Sequence, residues 1–523
     1  MITQESPIQQ PSVRKGSQGI LPFRYEAEGS KAGITALAGL PVYLDLAAAI
    51  GMSKSIRKHV RVRMEGGQGW TDSQVVLALV LLNLAGGDHV EDLNLLEADE
   101  GFGRVLRRVE HGGLMRKVRR CLERRWRKER RRTMPSPSAV FRYLAAFHDE
   151  GQERLRVPGK AFIPAPNEAL RGLGAVNGEM AAFLQRHHPV ETATLDADAT
   201  VIGTTKAEAL WCYEGYPAYQ PINIWWAEQE VVLYTEFRDG NVPAGHEIRR
   251  VVGEALVHLP EGIKTVRLRS DTAAYQHDFL RWCDDGANKP VGRIEFTVGC
   301  DVTGEFKKAV AGVEGGDWHP LYREVNGEKI GTGQEWAEVC FVPNAIGHSR
   351  SGPQWRYLAI REVLKQRELP GMEEQMSLPF PTLEMTGQRY KLFGMVTNME
   401  WDGGDLIPWH YRRCGKSEEA HAIMKDDLAG GTMPSGKFGE NAAWWWIMML
   451  ALNLNAILKR LALPQEWTPK RMKAVRLSLI RLPGKILERS RCMMIRLRQD
   501  HPALPVLLQA RLAIARLAFQ PSG

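Results

Sequence analysis

Hydrophobic and polar positions divide the chain into a helix-like front, a strand-like middle and a helix-like end. In the front, LPVYLDLAAAIGM and SQVVLALVLLNLAGG are apolar runs, and the paired glycines that close the second run indicate where its helix ends. The apolar run from Ala442 to Leu458 contains two asparagines and is short for a membrane span, so we interpret it as a buried helix. The pattern predicts a polar arm over 1–30 and a helical region over 31–185.

The pattern changes to strands at about residue 190. The segments TATLDADATVIG, QPINIWWAE and VVLYTEFRDG are rich in β-branched and aromatic residues and are bounded by turn residues. We expect three adjacent antiparallel strands, followed by helices that alternate with the strands TVRLRSD and RIEFTVGC. Consecutive strands followed by helix–strand alternation predict an α/β fold in which helices cover a mixed sheet.

The later part of the chain divides by composition. The strand-rich segment over 186–301 is interpreted as the first part of the core. Residues 302–400 are richer in Gly and Pro and contain short strand-like pieces, which predicts a β-rich insertion. Helical patterns return over 401–462, the second part of the core, and continue into a basic, helical C-terminal region over 463–523.

The positive charge of the chain is concentrated in two stretches. The formal net charge is +8, yet eleven Lys or Arg between Met115 and Thr133 face only two Glu, and twelve between Lys459 and Arg498 face only two. Such concentration is typical of polyanion-binding proteins, with two solvated helix faces as the alternative interpretation. The residues of the first stretch that we expect to contact phosphate are Arg116, Lys117, Arg119, Arg120, Arg124, Arg125, Arg127 and Lys128.

Two further features concern the compartment. The start of the chain, MITQESPIQQPSVRKGSQG, has no apolar core behind a basic end, which predicts neither a signal peptide nor an anchor. Seven scattered cysteines without a C-x-x-C pair favour reduced structural thiols over a zinc site. We expect a cytoplasmic protein without a membrane partner.

Acidic residues at strand ends and on one helix are the candidates for chemistry. Side chains alternate along a strand, so TLDADAT places Asp196 and Asp198 on one face, and Asp271 ends the strand VRLRSD. Glu418 and Lys425 are seven residues apart, nearly two helical turns, so they share a helix face. Two carboxylates from strands and one from a helix suit Mg²⁺. Two such ions about 3.5 to 4 Å apart support phosphodiester cleavage and strand transfer.

The string YRRCGKSEEAHAIMK resembles the Tyr, Arg, Glu, Lys signature around the catalytic glutamate of bacterial insertion-sequence DDE transposases. In that signature Tyr is followed after two residues by Arg, after three more by Glu and after six more by Lys. Those slots hold Tyr411, Cys414, Glu418 and Lys425. Cys414 departs from the signature, so Arg413 or Arg412 would have to serve, and the spacing selects Glu418 rather than the adjacent glutamate.

Other segments resemble the family in the same order. TLDADAT looks like its first-aspartate strand, in which Asp, any residue, Thr is usual, and this favours Asp198 ahead of Asp196. YQPINIWW, FRDGNVPAG and RLRSDTAAYQHDFLRWCD resemble the elements that follow, with Asp271 in the second-aspartate position. The resemblance covers roughly residues 190 to 460 and is closest to the insertion-sequence family numbered thirteen-eighty, within DDE group 1.

The resemblance implies an RNase H-like catalytic domain with a β-rich insertion. It also implies transposition on double-stranded DNA, at the terminal inverted repeats and a target, by a homodimer or larger assembly in the bacterial nucleoid, with Mg²⁺ or Mn²⁺ as two ions. By resemblance the metal ligands and catalytic residues are Asp198, Asp271 and Glu418, with Asp196 as an alternative, and the DNA-binding residues near the cut are Tyr411, Arg413 and Lys425.

Three other functions compete with this one. An RNase H-like structure-specific nuclease, or a hydrolase of RNA–DNA hybrids, would share the three acids and the metal but would not join strands. A transposase-derived DNA-binding protein or repressor would lack catalysis. A glycosidase with paired carboxylates is disfavoured by the two basic stretches.

Overall fold

The central element of the computed structural model is a ten-stranded mixed sheet. The structure describes residues 33–63, 69–110, 115, 117, 132–157, 159–206, 208–287, 291–325, 327–343, 355–364, 380–489 and 492–519, with backbone alone at 414–417, 489, 492 and 519. The strands are β1 (Ile34–Thr35), β2 (Thr192–Ala199), β3 (Ile202–Gly203), β4 (Leu210–Trp211), β5 (Pro217–Tyr219), β6 (Ile222–Trp226), β7 (Val231–Glu236), β8 (Thr265–Ser270), β9 (Ile294–Cys300), β10 (His319–Val325), β11 (Glu328–Val339), β12 (Arg356–Val363), β13 (Thr382–Met385), β14 (Gln388–Thr397), β15 (Gly484–Arg489) and β16 (Cys492–Arg496).

The order of strands in the large sheet is β10-β11-β12-β14-β9-β8-β2-β6-β7, with β13 paired to β14. Strands β2, β6 and β7 are antiparallel neighbours, which confirms the three adjacent strands predicted from the sequence. Strands β8 and β9 lie parallel to β2 on its other side. The fold is therefore α/β with a large mixed sheet.

The segment predicted as a β-rich insertion extends this sheet. Strand β14 pairs antiparallel with β9, from Gly394 opposite Cys300 to Thr397 opposite Thr297. Gly394 permits this pairing, because an added Cβ would lie 2.5 Å from the sulfur of Cys300. The strands between residues 319 and 397 and the strands around residue 198 therefore form one continuous sheet.

Helices precede, cover and follow the sheet. They are α1 (Pro41–Ile50), α2 (Met52–His59), α3 (Asp72–Ala85), α4 (Leu93–Ala98), α5 (Glu100–Glu110), α6 (Pro137–Leu144), α7 (Glu150–Glu153), α8 (Glu168–His187), α9 (Ile248–Val257), α10 (His277–Asp284), α11 (Gly304–Ala311), α12 (Gly403–Ala422), α13 (Phe438–Leu461), α14 (Met472–Val475) and α15 (Ala503–Phe519). Helix α3 starts with a capping box from Thr71 and Gln74 and ends at Gly86, whose φ of 88° is left-handed, as the paired glycines predicted.

Helix α13 forms the centre of the core. It contains the apolar run predicted as a buried helix, and Trp444, Trp445 and Trp446 are all buried in it. Among the described residues it is the one single helix long and apolar enough to cross a membrane, but 94% of its apolar window is buried inside the protein. It packs against α1, α3, α8 and β7, and so ties the helical front to the sheet.

The C-terminal region differs from the helical prediction. Strands β15 and β16 form a hairpin, and β15 pairs with β1 from the front of the chain. The preceding helical turns end at Ile480, and Pro483, which has no amide hydrogen to donate to a further helical turn, lies directly before β15. The prediction of a helical region over 463–523 is therefore wrong between residues 484 and 496.

Candidate active site

Asp198 and Asp271 lie side by side at the ends of neighbouring strands. In the parallel pair β2 and β8, Ala197 is opposite Ser270, so the next residue of each chain segment is one of the two aspartates. Both aspartates line a surface pocket of about 830 Å³. The structure thus brings together two of the three acids singled out in the sequence.

Asp198 carries a charge that its surroundings balance only in part. Burial raises the pKa of its carboxyl to about 6; the guanidinium of Arg413 opposes this rise, and the Asp271 carboxylate adds to it. Nη1 of Arg413 lies 3.4 Å from Oδ2 of Asp198, and the Arg413 side chain is buried. A further cation beside the two aspartates would be stabilised by the same field.

Asp196 is engaged elsewhere, although it shares a strand face with Asp198. Its Oδ1 accepts from Nε of Arg269 at 2.6 Å, and its Oδ2 accepts from Nη2 at 2.7 Å. Nη1 of Arg269 donates to the carbonyl of Trp409 at 2.6 Å, and the guanidinium lies 4.8 Å from the centroid of the Trp409 ring. Both oxygens of Asp196 are therefore used in a buried ion pair, which the sequence analysis missed.

Helix α12 crosses the ends of the same strands. Arg413 contacts Asp198, and two turns later Nε2 of His421 lies 3.5 Å from Nδ2 of Asn223. Asn223 is the residue opposite Asp198 in β6. Burial, together with Lys425 and Arg413, lowers the pKa of His421 to about 4, so its ring is neutral near neutral pH and accepts from the Asn223 amide.

A chain of buried hydrogen bonds supports this contact from the core. Oδ1 of Asn223 accepts from the hydroxyl of Thr235 at 2.7 Å, and that hydroxyl accepts from Nε1 of Trp445 at 2.8 Å. Residues of β7 and α13 therefore hold the side-chain amide of Asn223 in the orientation in which it contacts His421. Sequence analysis did not single out Asn223 or Thr235, because a polar residue inside an apolar strand gives no local signal of its partner.

The other residues of the signature, in α12 and in the helical turn that follows it, lie in different surroundings. Lys425 lines the pocket, and its Nζ lies 3.5 Å from the carbonyl of Val201. Glu418 is exposed to solvent and is not among the residues that line the pocket. Tyr411 packs against the apolar cluster that contains Trp336 and Leu406.

Lys425 lies in a π-helical turn over Ile423–Asp427 that directly follows α12, whereas Glu418 lies in the α-helix itself. The expectation that these two residues share one face assumes an α-helix throughout, and a π turn changes the angle between them. Among the described residues, no group of three or more His, Cys, Asp or Glu side chains is placed to hold a metal ion. Asp198 and Asp271 supply two adjacent carboxylates at the pocket, and carboxylate oxygens are the ligands that Mg²⁺ and Mn²⁺ prefer.

Most of the first basic stretch lies outside the described residues, whereas most of the second is described. The predicted phosphate contacts Arg116, Arg119, Arg120, Arg124, Arg125, Arg127 and Lys128 lie outside the described residues, and Lys117 is exposed. In the second stretch several cations serve the fold. Arg476 is buried and donates to the carbonyls of Asn83, Leu84 and Asp427, and Arg471 forms an ion pair with the Asp427 carboxylate.

Comparisons with known proteins give the family. Among curated proteins, none matches the chain. Among solved structures, the chain is similar to the one described as the cryo-EM structure of the piggyBac transposase synaptic complex with hairpin DNA, with 10% sequence identity, a TM-score of 0.41, and coverage of 84% of this chain and 80% of that chain. Residues 23–519 match the family described as transposase DDE domain group 1. The chain therefore belongs to the transposase DDE domain group 1 family.

Proposed function

We propose that this chain is a DNA transposase that cuts the terminal inverted repeats of a bacterial insertion sequence and joins the freed strands to target DNA. Family membership supports the reaction class. One observation carries the proposal: Asp198 and Asp271 stand side by side at adjacent strand ends in an open pocket of about 830 Å³. We also propose that the large sheet has an RNase H-like arrangement.

The two aspartates fit a divalent cation. Burial, and to a smaller extent the Asp271 carboxylate, raises the pKa of Asp198, so a cation between the two carboxylates would stabilise their charged forms. When bound, two Mg²⁺ or Mn²⁺ ions would activate a water or a 3′-hydroxyl and stabilise the leaving oxygen. The signature spacing selects Glu418 as the third ligand. Its exposed position on α12 lies between Arg413, which contacts Asp198, and His421, which contacts Asn223.

Three other side chains of the signature segment have distinct tasks in this proposal. Arg413 orients the carboxylate of Asp198 through their ion pair. The amine of Lys425 provides a positive charge for a DNA phosphate in the pocket. Tyr411 packs in an apolar cluster, which favours a role in holding α12 over direct contact with DNA.

The test is cleavage of labelled DNA that carries the terminal repeat of the element. With Mg²⁺ or Mn²⁺ we expect the wild type to cut at the element end, and we expect Asp198→Asn, Asp271→Asn and Glu418→Gln each to abolish cutting while DNA binding in EDTA persists. Glu419→Gln is the matched control, because Glu419 is also exposed on α12. An active Glu418→Gln variant together with an inactive Glu419→Gln variant would refute the assignment of the third acid.

Strand joining separates a transposase from a nuclease of the same fold. A pre-cut end with a free 3′-hydroxyl should be joined to a supercoiled target plasmid by the wild type, and not by Asp271→Asn. Cutting without any joining under these conditions would favour a structure-specific nuclease. Binding without cutting in any metal would favour a non-catalytic DNA-binding protein.

A further inference from the structure

A small three-stranded sheet lies directly beside the pocket. Residues 200–221 separate β2 from β6, and within them β3, β5 and β4 pair in that order. We term the hairpin of β4 and β5 within this small sheet the aromatic hairpin. Several of its side chains line the pocket that holds the two aspartates.

The aromatic hairpin exposes large aromatic side chains. Trp211 is 66% exposed, Tyr213 78% and Tyr216 38%, and all three line the pocket of Asp198 and Asp271. In the described part of the chain, the other well-exposed tyrosine is Tyr322, on β10. Exposed aromatic surface is unfavourable in water, so its concentration at one rim marks a binding surface.

Internal contacts hold the two tyrosine rings in place. The amide of Cys212 donates to the carbonyl of Tyr216 at 2.9 Å, which closes the turn of the hairpin. The hydroxyl of Tyr216 donates to Glu214 Oε2 at 2.5 Å, and the hydroxyl of Tyr213 is hydrogen-bonded to the same carboxylate. The Tyr216 ring packs over Gly203, where an added Cβ would lie 3.3 Å from Cε2 of the ring. Rings that are already ordered lose little entropy when a ligand stacks on them.

Cations line the pockets that the aromatic hairpin borders. Lys425 lines the pocket with the aspartates, and Lys206 lines a second pocket of about 640 Å³ that Tyr216 also lines. Aromatic rings beside cations are the arrangement by which proteins hold single-stranded nucleic acid: the cations follow the backbone and the bases stack on the rings. A base within a duplex has both faces covered by its neighbours, so only an unpaired base can stack in this way.

We propose that Trp211, Tyr213 and Tyr216 form a platform on which unpaired nucleobases next to the scissile phosphate stack. The platform rests on the proposed function, because it places its ligand beside Asp198 and Asp271. It holds the strand by base faces, and so it tolerates any sequence. It thereby gives the pocket a preference for DNA that is open at the cleavage site.

The test is metal-free binding of an oligothymidylate of about 12 nucleotides with a central 2-aminopurine, measured by fluorescence on the full chain. We expect the 2-aminopurine signal to change on binding to the wild type, and Trp211→Ala and Tyr213→Ala each to weaken binding by about 5-fold or more. Trp211→Phe and Tyr213→Phe should retain most of the affinity, since they keep a ring. Tyr322→Ala is the matched control, an exposed tyrosine outside the aromatic hairpin, and should bind like the wild type.

The same variants are then tested on a blunt duplex of equal length. The platform predicts that loss of a ring weakens single-strand binding much more than duplex binding. Equal losses on both probes, wild-type affinity in the Ala variants, or Phe variants as weak as the Ala variants would each overturn the proposal. All variants change exposed side chains, and thermal unfolding midpoints equal to that of the wild type verify that they fold.

Failure of the platform and failure of the proposed function give different results. If the wild type cuts and joins element ends but the ring variants bind single strands normally, the platform alone is wrong. If the wild type neither cuts nor joins but the ring variants lose single-strand binding, the transposase proposal is wrong and the platform serves another DNA transaction. If the wild type gives no 2-aminopurine signal, the platform is wrong whatever the catalytic result.

Discussion

The two aspartates of strand β2 should respond in opposite ways to substitution. Asp196→Ala removes a carboxylate that is 1% exposed and bound at two points by Arg269, whose side chain is 5% exposed. The guanidinium would remain in the interior without its anion. Asp198→Asn instead removes a charge that burial and Asp271 already disfavour. We expect the first change to damage the fold and the second to damage cleavage alone.

The magnitude follows from the burial of Arg269. Removal of one partner of a buried ion pair costs about 3–5 kcal/mol, because an uncompensated charge is left behind. With an unfolding entropy of about 2.1 cal/mol/K per residue, a chain of 523 residues has an unfolding entropy of about 1.1 kcal/mol/K. Asp196→Ala should therefore lower the unfolding midpoint by about 3–5 °C if the chain unfolds as one unit, and by more if the sheet unfolds separately.

Differential scanning calorimetry at neutral pH in EDTA measures this shift. The double variant Asp196→Leu with Arg269→Met removes both charges at similar volume and should recover most of the loss. Asp198→Asn should melt no lower than the wild type, yet should fail to cut DNA when metal is added. An Asp196→Ala variant that melts like the wild type and has lost cleavage would refute the reasoning, because Asp196 would then be the metal ligand.

Four further outcomes follow from the same site and core. Burial raises the pKa of the Asp198 carboxyl to about 6 in the folded chain, against about 3.9 in the unfolded chain. The contribution of this carboxyl to the free energy of unfolding is therefore present below about pH 4 and is lost as the pH rises through 6. In urea titrations without metal, Asp198→Asn should be about 3 kcal/mol more stable than the wild type at pH 8 and equal to it near pH 4. Added Mg²⁺ should raise the melting midpoint of the wild type and of Glu419→Gln, but less that of Glu418→Gln; equal shifts in all three would remove Glu418 from the ligand set. Asn223→Ala, which breaks the link between Thr235 and the helix of the signature, should slow cleavage by about 10-fold or more at unchanged DNA affinity in EDTA; a parallel loss of affinity would indicate a general folding defect. Arg476→Leu removes the hydrogen bonds that the guanidinium donates to three buried carbonyl groups, at about 1 kcal/mol each, so the urea midpoint should fall while cleavage per folded molecule is kept.

Local patterns were sufficient for the elements and for much of the sheet. The β-branched and aromatic runs in TATLDADA, INIWW and VVLYTE predicted three strands, which the structure pairs as β2, β6 and β7. The period of two placed Asp196 and Asp198 on one face, and the chain order placed Asp271 at the end of a strand that proved to be the neighbour. These features depend on residues close in sequence, so the sequence was enough to predict them.

Features that depend on distant partners were not predictable in this way. Asp196 is engaged by Arg269, which is 73 residues away in the sequence, so a local pattern cannot show that only Asp198 is left to line the pocket. The relation of Glu418 to Lys425 is altered by a π turn, which no hydrophobic period reveals. Part of the charge in the C-terminal stretch proved to be structural, because Arg476 reaches carbonyls at the end of α3, nearly four hundred residues earlier in the chain.

The continuity of the sheet explains how the two parts of the site are held together. Strand β14 pairs with β9 and so returns the chain to the edge of the core sheet just before α12 begins. Helix α12 then packs against β2 and β8 as well as against β10 and β11. Leu406 and Ile407 of α12 pack in one apolar cluster with Trp336 of β11, and these contacts hold the helix in place. Arg413 of the same helix contacts Asp198. The strands between residues 319 and 397 therefore hold the signature helix α12 in place relative to the two aspartates. Substitutions in the apolar cluster of Trp336 and Leu406 should affect cleavage although these residues lie outside the pocket.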